Sequence, residues 1–331
     1  MIPSGTQFDF IGKRRLCGAI SAALLLAGLA AIPLQGVKLG IDFAGGTEVQ
    51  VLFADGIDVD EGRIRTLAGA CGIENPSVVR YGEMGGSEYL IRFLKASGET
   101  DDAAIAECPL TAEDRAQLAK SAEAQGKEGG SGEIVDRLNL AMASAIGAHD
   151  VQRVEFVGPR VGSELRRDGV SALGLACLLI LAYITFRFSA RFAPGAIVAL
   201  VHDIGITAGL FVIFGLEFDL RVLAALLAIL GYSLNDTIII YDRIRENMEL
   251  RTKFNLEDVL NRSVNQTLSR TVLTSGTTLA AVLALLFLGG EVLRPFAIAM
   301  VIGVFVGTYS SVFIAAPTLL FLETRLGDRP S

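Results

Sequence analysis

Asn235 and Asp236 stand inside an apolar stretch, in "GYSLNDTIIIYDRIREN" (Gly231–Asn247), well ahead of the charges that would end a membrane helix. A carboxylate in hydrocarbon costs from about 3 to more than about 10 kcal/mol, so its presence asks for a role or a partner. Asp236 lies about 16 residues into its run, roughly 24 Å along a helix rising 1.5 Å per residue. Arg270 stands where the next apolar run begins. Two antiparallel neighbours would bring these groups to similar depth, and each is less costly as a pair, so they are expected to face each other across the bundle. Burial disfavours the charged form of a carboxyl, whereas a nearby guanidinium favours it. A movement of Arg270 would therefore switch the proton affinity of Asp236, which is the coupling a proton-driven device needs. The competing account is a structural ion pair that fixes helix packing.

A second acid, Asp203, follows His202 about 12 residues into another apolar run, near mid-membrane at 1.5 Å per residue. Two ligand types without companions do not make a metal site. Structural hydrogen bonding and a secondary relay role, shared with Asn235, both remain open for Asp203. Tyr232, Thr274, Ser275, Thr277 and Thr278 either line a hydrated path or hydrogen-bond between helices. Gly303 and Gly307 form a G-x-x-x-G, a close-packing motif for use within the chain or against a partner.

The sequence has no Ser/His/Asp or Cys/His arrangement and no nucleotide loop, and "GIDFAGGTEVQV" lacks the Lys-Ser/Thr of a phosphate loop. Its glycine pair reads as a tight turn feeding a strand. No enzymatic reaction and no cofactor are expected; an ion gradient is the energy source. A proton crossing about 150 mV releases roughly 3.5 kcal/mol. Cys17, Cys71, Cys108 and Cys177 show no metal-ligand spacing; apolar filling is their expected role, and a Cys71–Cys108 disulfide is open if that segment lies outside the cell membrane.

The elements that must position these residues are membrane helices. Hydrophobic residues make up 51% of the 331, and there is no tryptophan; the mean hydropathy is +0.50. Six apolar runs are long enough to span a bilayer, which takes about 20 residues: Leu16–Leu34, Gly169–Phe186, Phe192–Gly215, Leu220–Tyr241, Thr271–Leu288 and Pro295–Leu322. A cleaved signal peptide competes for the first, which follows Lys13, Arg14 and Arg15. Its core is longer than the usual apolar segment and has only Gly28-Leu29-Ala30 as a weak cleavage site, which favours an anchor. Arg187, Arg191, Arg243, Arg245, Arg251, Lys253, Arg262, Arg325 and Arg329 gather on one side and Arg221 and Arg294 alone on the other. Both termini (residues 1–15 and 323–331) and the 242–269 loop are thus expected in the cytoplasm. Within that loop Asn255 is an N-cap candidate for an interfacial helix leading into the fifth span.

Residues 36–165, between the first two spans, then face the outside. Lys38–Glu164 holds 12 basic and 22 acidic residues, a net of −10 that leaves +3 for the rest. Such an acidic segment argues against nucleic-acid binding, which needs a basic footprint. "TEVQVLF" and "EYLIRFL" alternate as strands, with "PSVVRY" and "VQRVEFVG" more loosely so; "VDEGRIRTLAGACG" and "GEIVDRLNLAMASAIGA" suit amphipathic helices. This is a small α+β domain. Residues 96–132, polar and Gly-rich at their end, read as an inserted loop with one short helix.

Several of these strings together resemble the SecF proteins of the SecD/SecF family, within the resistance-nodulation-division (RND) superfamily. They are "GIDFAGGTEV", "VEFVGPRVGSEL", "YITFRF", "ALVHDIGIT", "LGYSLNDTIIIYDRIREN" and "QTLSRTVLTSGTTL", in the family's order and across nearly the whole chain. Residues 96–132 are longer than the family's usual connection. The resemblance implies a six-helix bundle forming an RND-like half with a periplasmic α+β domain. It also implies pairing with SecD, association with SecYEG and YajC, and action on unfolded preprotein at the periplasmic side of the bacterial inner membrane. It further implies a use of the proton-motive force in late steps of export, with Asp236 and Arg270 in proton coupling. A small-molecule or lipid exporter, which would normally need twelve helices and two outer domains, and a passive scaffold are the alternatives.

Overall fold

The computed structural model describes residues 7–54, 56, 57, 59–81, 87–93, 108–125, 130–188, 191–250 and 255–326. The chain divides into two compact units, one of Met1–Lys38 with Asp168–Ser331 and one of Leu39–Arg167.

In the second unit, α2 (Ile41–Ala44) leads through Gly45 and Gly46 into β1 (Gly46–Phe53). Both glycines have positive φ, +77° and +134°, and a Cβ on Gly45 would lie 2.8 Å from the Pro159 Cα. The turn expected of the glycine pair is therefore a steric requirement. After β1 come α3 (Glu61–Ala70), β2 (Ser77–Tyr81), β3 (Glu88–Phe93), α4 (Ala112–Gln125), α5 (Gly130–Ala145) and β4 (His149–Val157). The strands form one antiparallel sheet in the order β2-β3-β1-β4. The period-2 alternation of β1 sends Val49, Val51 and Phe53 into a core with Ile64, Tyr89, Ile91, Leu138 and Met142, while Glu48 faces outward and pairs with Arg92 across the register. Of the 96–132 insert, α4 is the described helix. Thr111 and Asp114 cap it reciprocally, with bonds of 2.9 and 3.2 Å. The Thr111 hydroxyl and amide hold the Asp114 carboxyl below the usual carboxylate range. Residues 96–107 and 126–129 of the insert lie outside the described residues. A Cys71–Cys108 disulfide, its two half-cystines buried, ties the end of α3 to the residues before α4.

The first unit holds six helices of membrane-spanning length and apolarity. They are α1 (Arg14–Gln35), α6 (Pro159–Arg187, which begins in the other unit), α7 (Ala193–Ile213), α8 (Leu220–Glu249), α9 (Leu256–Leu288) and α10 (Gly290–Ser310), which runs through a π-turn (Ser311–Ala315) into α11 (Ala316–Leu326). α7, α8 and α10–α11 are the inner helices; α1, α6 and α9 are mostly exposed. Asn255 caps α9 as expected, accepting from the Glu257 amide at 3.1 Å. The interfacial helix predicted ahead of the fifth span is not separate, however. Residues 256–288 form one helix, because Gly276 is the sole glycine in that stretch and no proline interrupts it.

Four glycines set how closely the helices approach. Cβ atoms on Gly28 and Gly209 would lie 2.8 and 3.0 Å from each other's Cα, so α1 and α7 meet backbone to backbone. Gly303 lies against Ile229 and Gly307 against Ser233, where added Cβ atoms would stand 2.2 and 2.9 Å away. The G-x-x-x-G motif is used within the chain.

Substituting Gly209 with Leu should lower the thermal midpoint of the full-length protein in detergent, with an overpacking cost of about 1–3 kcal/mol. Gly174→Leu, at a position with open space around it, should leave the midpoint in place. Reducing the Cys71–Cys108 disulfide, which closes a 37-residue separation, should destabilise the Leu39–Arg167 unit by roughly 3–4 kcal/mol in the chain-entropy picture. Hydrogen exchange of the full chain with and without reductant would register this as faster exchange in β1, β3 and α3.

Candidate functional site

Two apolar clusters fill the bundle, one around Phe192, Tyr241, Leu260 and Ala315, the other around Phe211, Ile229, Ala297 and Val304. In sequence, a set of polar side chains falls between them on every inner helix. His202, Asp203 and Thr207 come from α7; Ser233, Asp236 and Thr237 from α8; Thr271 from α9; Ser310 and Ser311 from the end of α10 and the π-turn. All are buried. The helical period explains the set: Ser233, Asp236 and Thr237 follow the i, i+3, i+4 rule and share one face.

Asp203 is fully enclosed. Its Oδ2 accepts from the hydroxyls of Ser233 and Ser310, the latter at 2.9 Å, and its Oδ1 meets His202 Nδ1 at 3.0 Å. His202 Nε2 continues to Ser21 Oγ on α1 at 2.9 Å. The carboxylate thus draws donors from α7, α8 and α10.

Asp236 has a different environment. It is 1% exposed, and its hydrogen bond is a 3.5 Å contact from Ser275 Oγ. Ser275 carries a single hydroxyl hydrogen, for which Thr308 Oγ1 at 2.7 Å competes, while the Tyr232 hydroxyl donates to Ser275 at 2.9 Å. Asp236 is therefore thinly satisfied, in a position where an unsatisfied carboxylate is costly. The Thr271 hydroxyl is buried with no hydrogen-bond partner.

Arg270 does not meet Asp236 in the way the sequence suggests. α8 and α9 are antiparallel neighbours, as the Tyr232–Ser275 and Asn247–Ser263 bonds require. Yet Arg270 is exposed, and among the described residues Asp236 has no ion pair within 4.0 Å. The reason is rotational: Thr267 and Thr271 occupy the face of α9 that is buried, and a neighbour in sequence is turned about 100° from it. Asn235 is likewise turned out of the cluster, exposed, with no hydrogen-bond partner among the described residues. Thr274 and Thr277 bond carbonyls of their own helix, so of the hydroxyls the sequence offers, Tyr232 and Ser275 enter the site. Among the described residues no three metal-ligating side chains converge.

Sequence reasoning passed over Ser21, Ser233, Thr308, Tyr309, Ser310 and Ser311. The available signal was the "GTYSS" string (Gly307–Ser311), which places four hydroxyl-bearing residues in succession inside the sixth apolar run.

Comparison with known proteins agrees with this architecture. The C-terminal model of the protein export membrane proteins SecD/SecF matches residues 139–325, and the SecD/SecF GG motif matches residues 30–56, around the Gly45–Gly46 turn. The protein translocase subunit SecF of Calditerrivibrio nitroreducens is 40% identical, covering 98% of this chain and 97% of its own length. That of Pseudomonas aeruginosa is 38% identical, covering 97% and 93%. The crystal structure of SecDF from Thermus thermophilus superposes with a TM-score of 0.76 at 36% identity, over 99% of this chain; the chain spans 40% of that longer one. A bundle of six apolar helices with a four-stranded domain in its first connection, matched over nearly its whole length by these relatives, is a multi-pass membrane protein that belongs to the SecD/SecF family of protein-export membrane proteins, among its SecF members.

Proposed function

We propose that the chain is a subunit of the Sec protein-export machinery which, paired with SecD, uses the proton-motive force to drive late steps of preprotein translocation across the bacterial inner membrane. One observation carries the reading: Asp236 is buried inside the helix bundle with a long, shared hydrogen bond and no ion pair among the described residues. Asp203, by contrast, is held by three contacts, from Ser233, Ser310 and His202. Asp236 instead has room to change partner. Binding a proton neutralises it; losing the proton leaves a charge that draws Arg270 inward from its exposed position. Each turn of that cycle would move α9 against α8. Energy comes from the gradient, with no enzymatic step and no cofactor in the cycle.

The bundle lies in the inner membrane with both termini in the cytoplasm and the Leu39–Arg167 unit outside. The basic residues of the 2–3 and 4–5 connections support this orientation. So does the Cys71–Cys108 disulfide, which belongs in an oxidising compartment. SecD is the partner expected in the membrane. Ala224, Ala228, Gly231 and Asn235 form an exposed stripe along α8, and the Asn235 amide would be stranded in lipid without a facing helix. SecYEG, YajC and unfolded preprotein complete the assembly. Asp203 serves this cycle in a secondary role, whereas Asn235 fits the partner-facing stripe better than a relay.

In inverted vesicles, Asp236→Asn should leave the protein inserted and paired but reduce export with an imposed gradient to the level seen without one. Arg270→Met should do the same. Undiminished gradient-stimulated export by both variants would sink the proposal. Gly231→Leu should weaken co-purification with SecD while leaving the thermal midpoint of the isolated chain unchanged, since Gly231 has open space around it within the chain.

A further inference from the structure

The hydrogen bonds that run from Asp203 to α1 contain one hydrogen more than the side chains bring in their ordinary states. There are four links: Asp203 Oδ1 to His202 Nδ1 at 3.0 Å, His202 Nε2 to Ser21 Oγ at 2.9 Å, Ser21 Oγ to the Tyr309 hydroxyl at 3.1 Å, and the Tyr309 hydroxyl to the Cys17 carbonyl at 2.7 Å. Each link needs one hydrogen between its two heavy atoms. Ser21 supplies one, Tyr309 one and a neutral imidazole one; an ionised carboxylate and a carbonyl supply none. Three hydrogens cannot fill four links. Nor can a neighbour make up the difference, because the Ser233 and Ser310 hydroxyls lie against Asp203 Oδ2, with the Gly307 carbonyl at 3.1 Å as a second acceptor for Ser310, and neither reaches any of the four links.

We propose that the Asp203–His202 pair is a proton-binding site, occupied by one proton that completes this chain and clasps α1 to α7 and α10. The ligand is H⁺ itself, taken from water. It resides either as an imidazolium beside a carboxylate or as a neutral imidazole beside a carboxylic acid; the two have the same composition and belong to one coupled pair. When the proton leaves, three hydrogens remain and one of the four links opens. α1 is then held to its neighbours by its apolar contacts and the Gly28–Gly209 approach, with an incomplete polar chain. Electrostatics favour the same occupancy. Asp203 is 0% exposed and has no Lys or Arg within 4.0 Å among the described residues, so its bare charge would lie uncompensated in the bundle. The titratable groups nearest the pair on the elements packed around it are Cys17 on α1, Tyr232 and Asp236 on α8 and Tyr309 on α10, none of them a cation; the arginines of those helices, Arg14, Arg15, Arg221, Arg243, Arg245 and Arg294, stand toward the helix ends. The proposal does not rest on the reading of Asp236, which lies outside this chain of contacts.

The test uses the full-length protein in lipid nanodiscs at neutral pH, with ring-labelled histidine. The chain has two histidines, and His149→Gln leaves His202 as the sole signal. Nitrogen NMR of that ring, together with an infrared carboxylic-acid band assigned by its loss in Asp203→Asn, counts the protons on the pair. The expected result is one proton beyond neutral imidazole and ionised carboxylate: either both ring nitrogens protonated, or a neutral ring with the acid band present. A neutral ring together with an ionised Asp203 overturns the proposal. Tyr309→Phe removes two links and two needs for hydrogen, so neutral His202 and Ser21 suffice for the rest. That variant should lose the additional proton while the wild type keeps it; retention in Tyr309→Phe would likewise overturn the chain as its cause.

Discussion

Hydrocarbon offers no hydrogen bonds, so the polar groups that this bundle carries between its two apolar clusters depend on partners in the protein, and among the described residues only the Thr207 and Thr271 hydroxyls are buried without one. That constraint shapes the inner helices more than any single contact does. Ser233, Thr237, Ser310 and Ser311 are short hydroxyl side chains, and each bonds a group on a neighbouring helix or a carbonyl of its own. Short side chains need close backbones. The glycines at 303 and 307 supply that approach by letting α10 lie directly on Ile229 and Ser233 of α8. The polar layer and the glycine contacts are therefore one feature: without the second, the first would be left unbonded.

Within that layer the two acids are treated unequally. Asp203 receives donors from three helices and is locked in place. Asp236 shares one serine hydrogen with Thr308 across 3.5 Å. A fully bonded acid specifies a unique packing, whereas a thinly bonded one tolerates more than one arrangement at similar free energy. A gradient that delivers roughly 3.5 kcal/mol per proton at about 150 mV can shift only states that lie within a few kcal/mol of each other. In the proposed cycle the loosely held Asp236, next to the mostly exposed α9, is the acid placed to meet that requirement, whereas Asp203 is enclosed on α7.

How far the sequence reveals this depends on how narrow the signal is. Length and apolarity mark the six helices, because no shorter or more polar segment can cross a bilayer. The alternation in "TEVQVLF" marks β1, since Val49, Val51 and Phe53 must share a face. Asn255 is legible as a cap because its side chain has little else to bond at a helix start. Hydroxyl residues in an apolar helix are ambiguous by nature: Thr274 and Thr277 turn back to their own carbonyls, while Ser275, between them, reaches two other helices. Rotation about the helix decides between these uses, and composition does not encode it. The same ambiguity explains Arg270 and Asn235, each one residue away from a buried position and turned outward.

The π-turn at Ser311–Ala315 shows how a local irregularity resolves such ambiguity. In a regular α-helix, residues 310 and 311 point about 100° apart, and a single neighbouring helix would receive only one of them. Here Ser310 bonds Asp203 on α7 and Ser311 bonds Thr237 on α8. Both are 0% exposed. Widening the helix directly after Ser310 leaves the first hydroxyl aimed at α7 and seats the second in the groove toward α8, at the cost of weaker backbone bonding over a single turn. π-turns recur at functional positions because they trade regularity for this kind of placement. In this chain the trade lets one helix satisfy polar groups on two others at the same depth, which is what allows a buried acid to exist there at all.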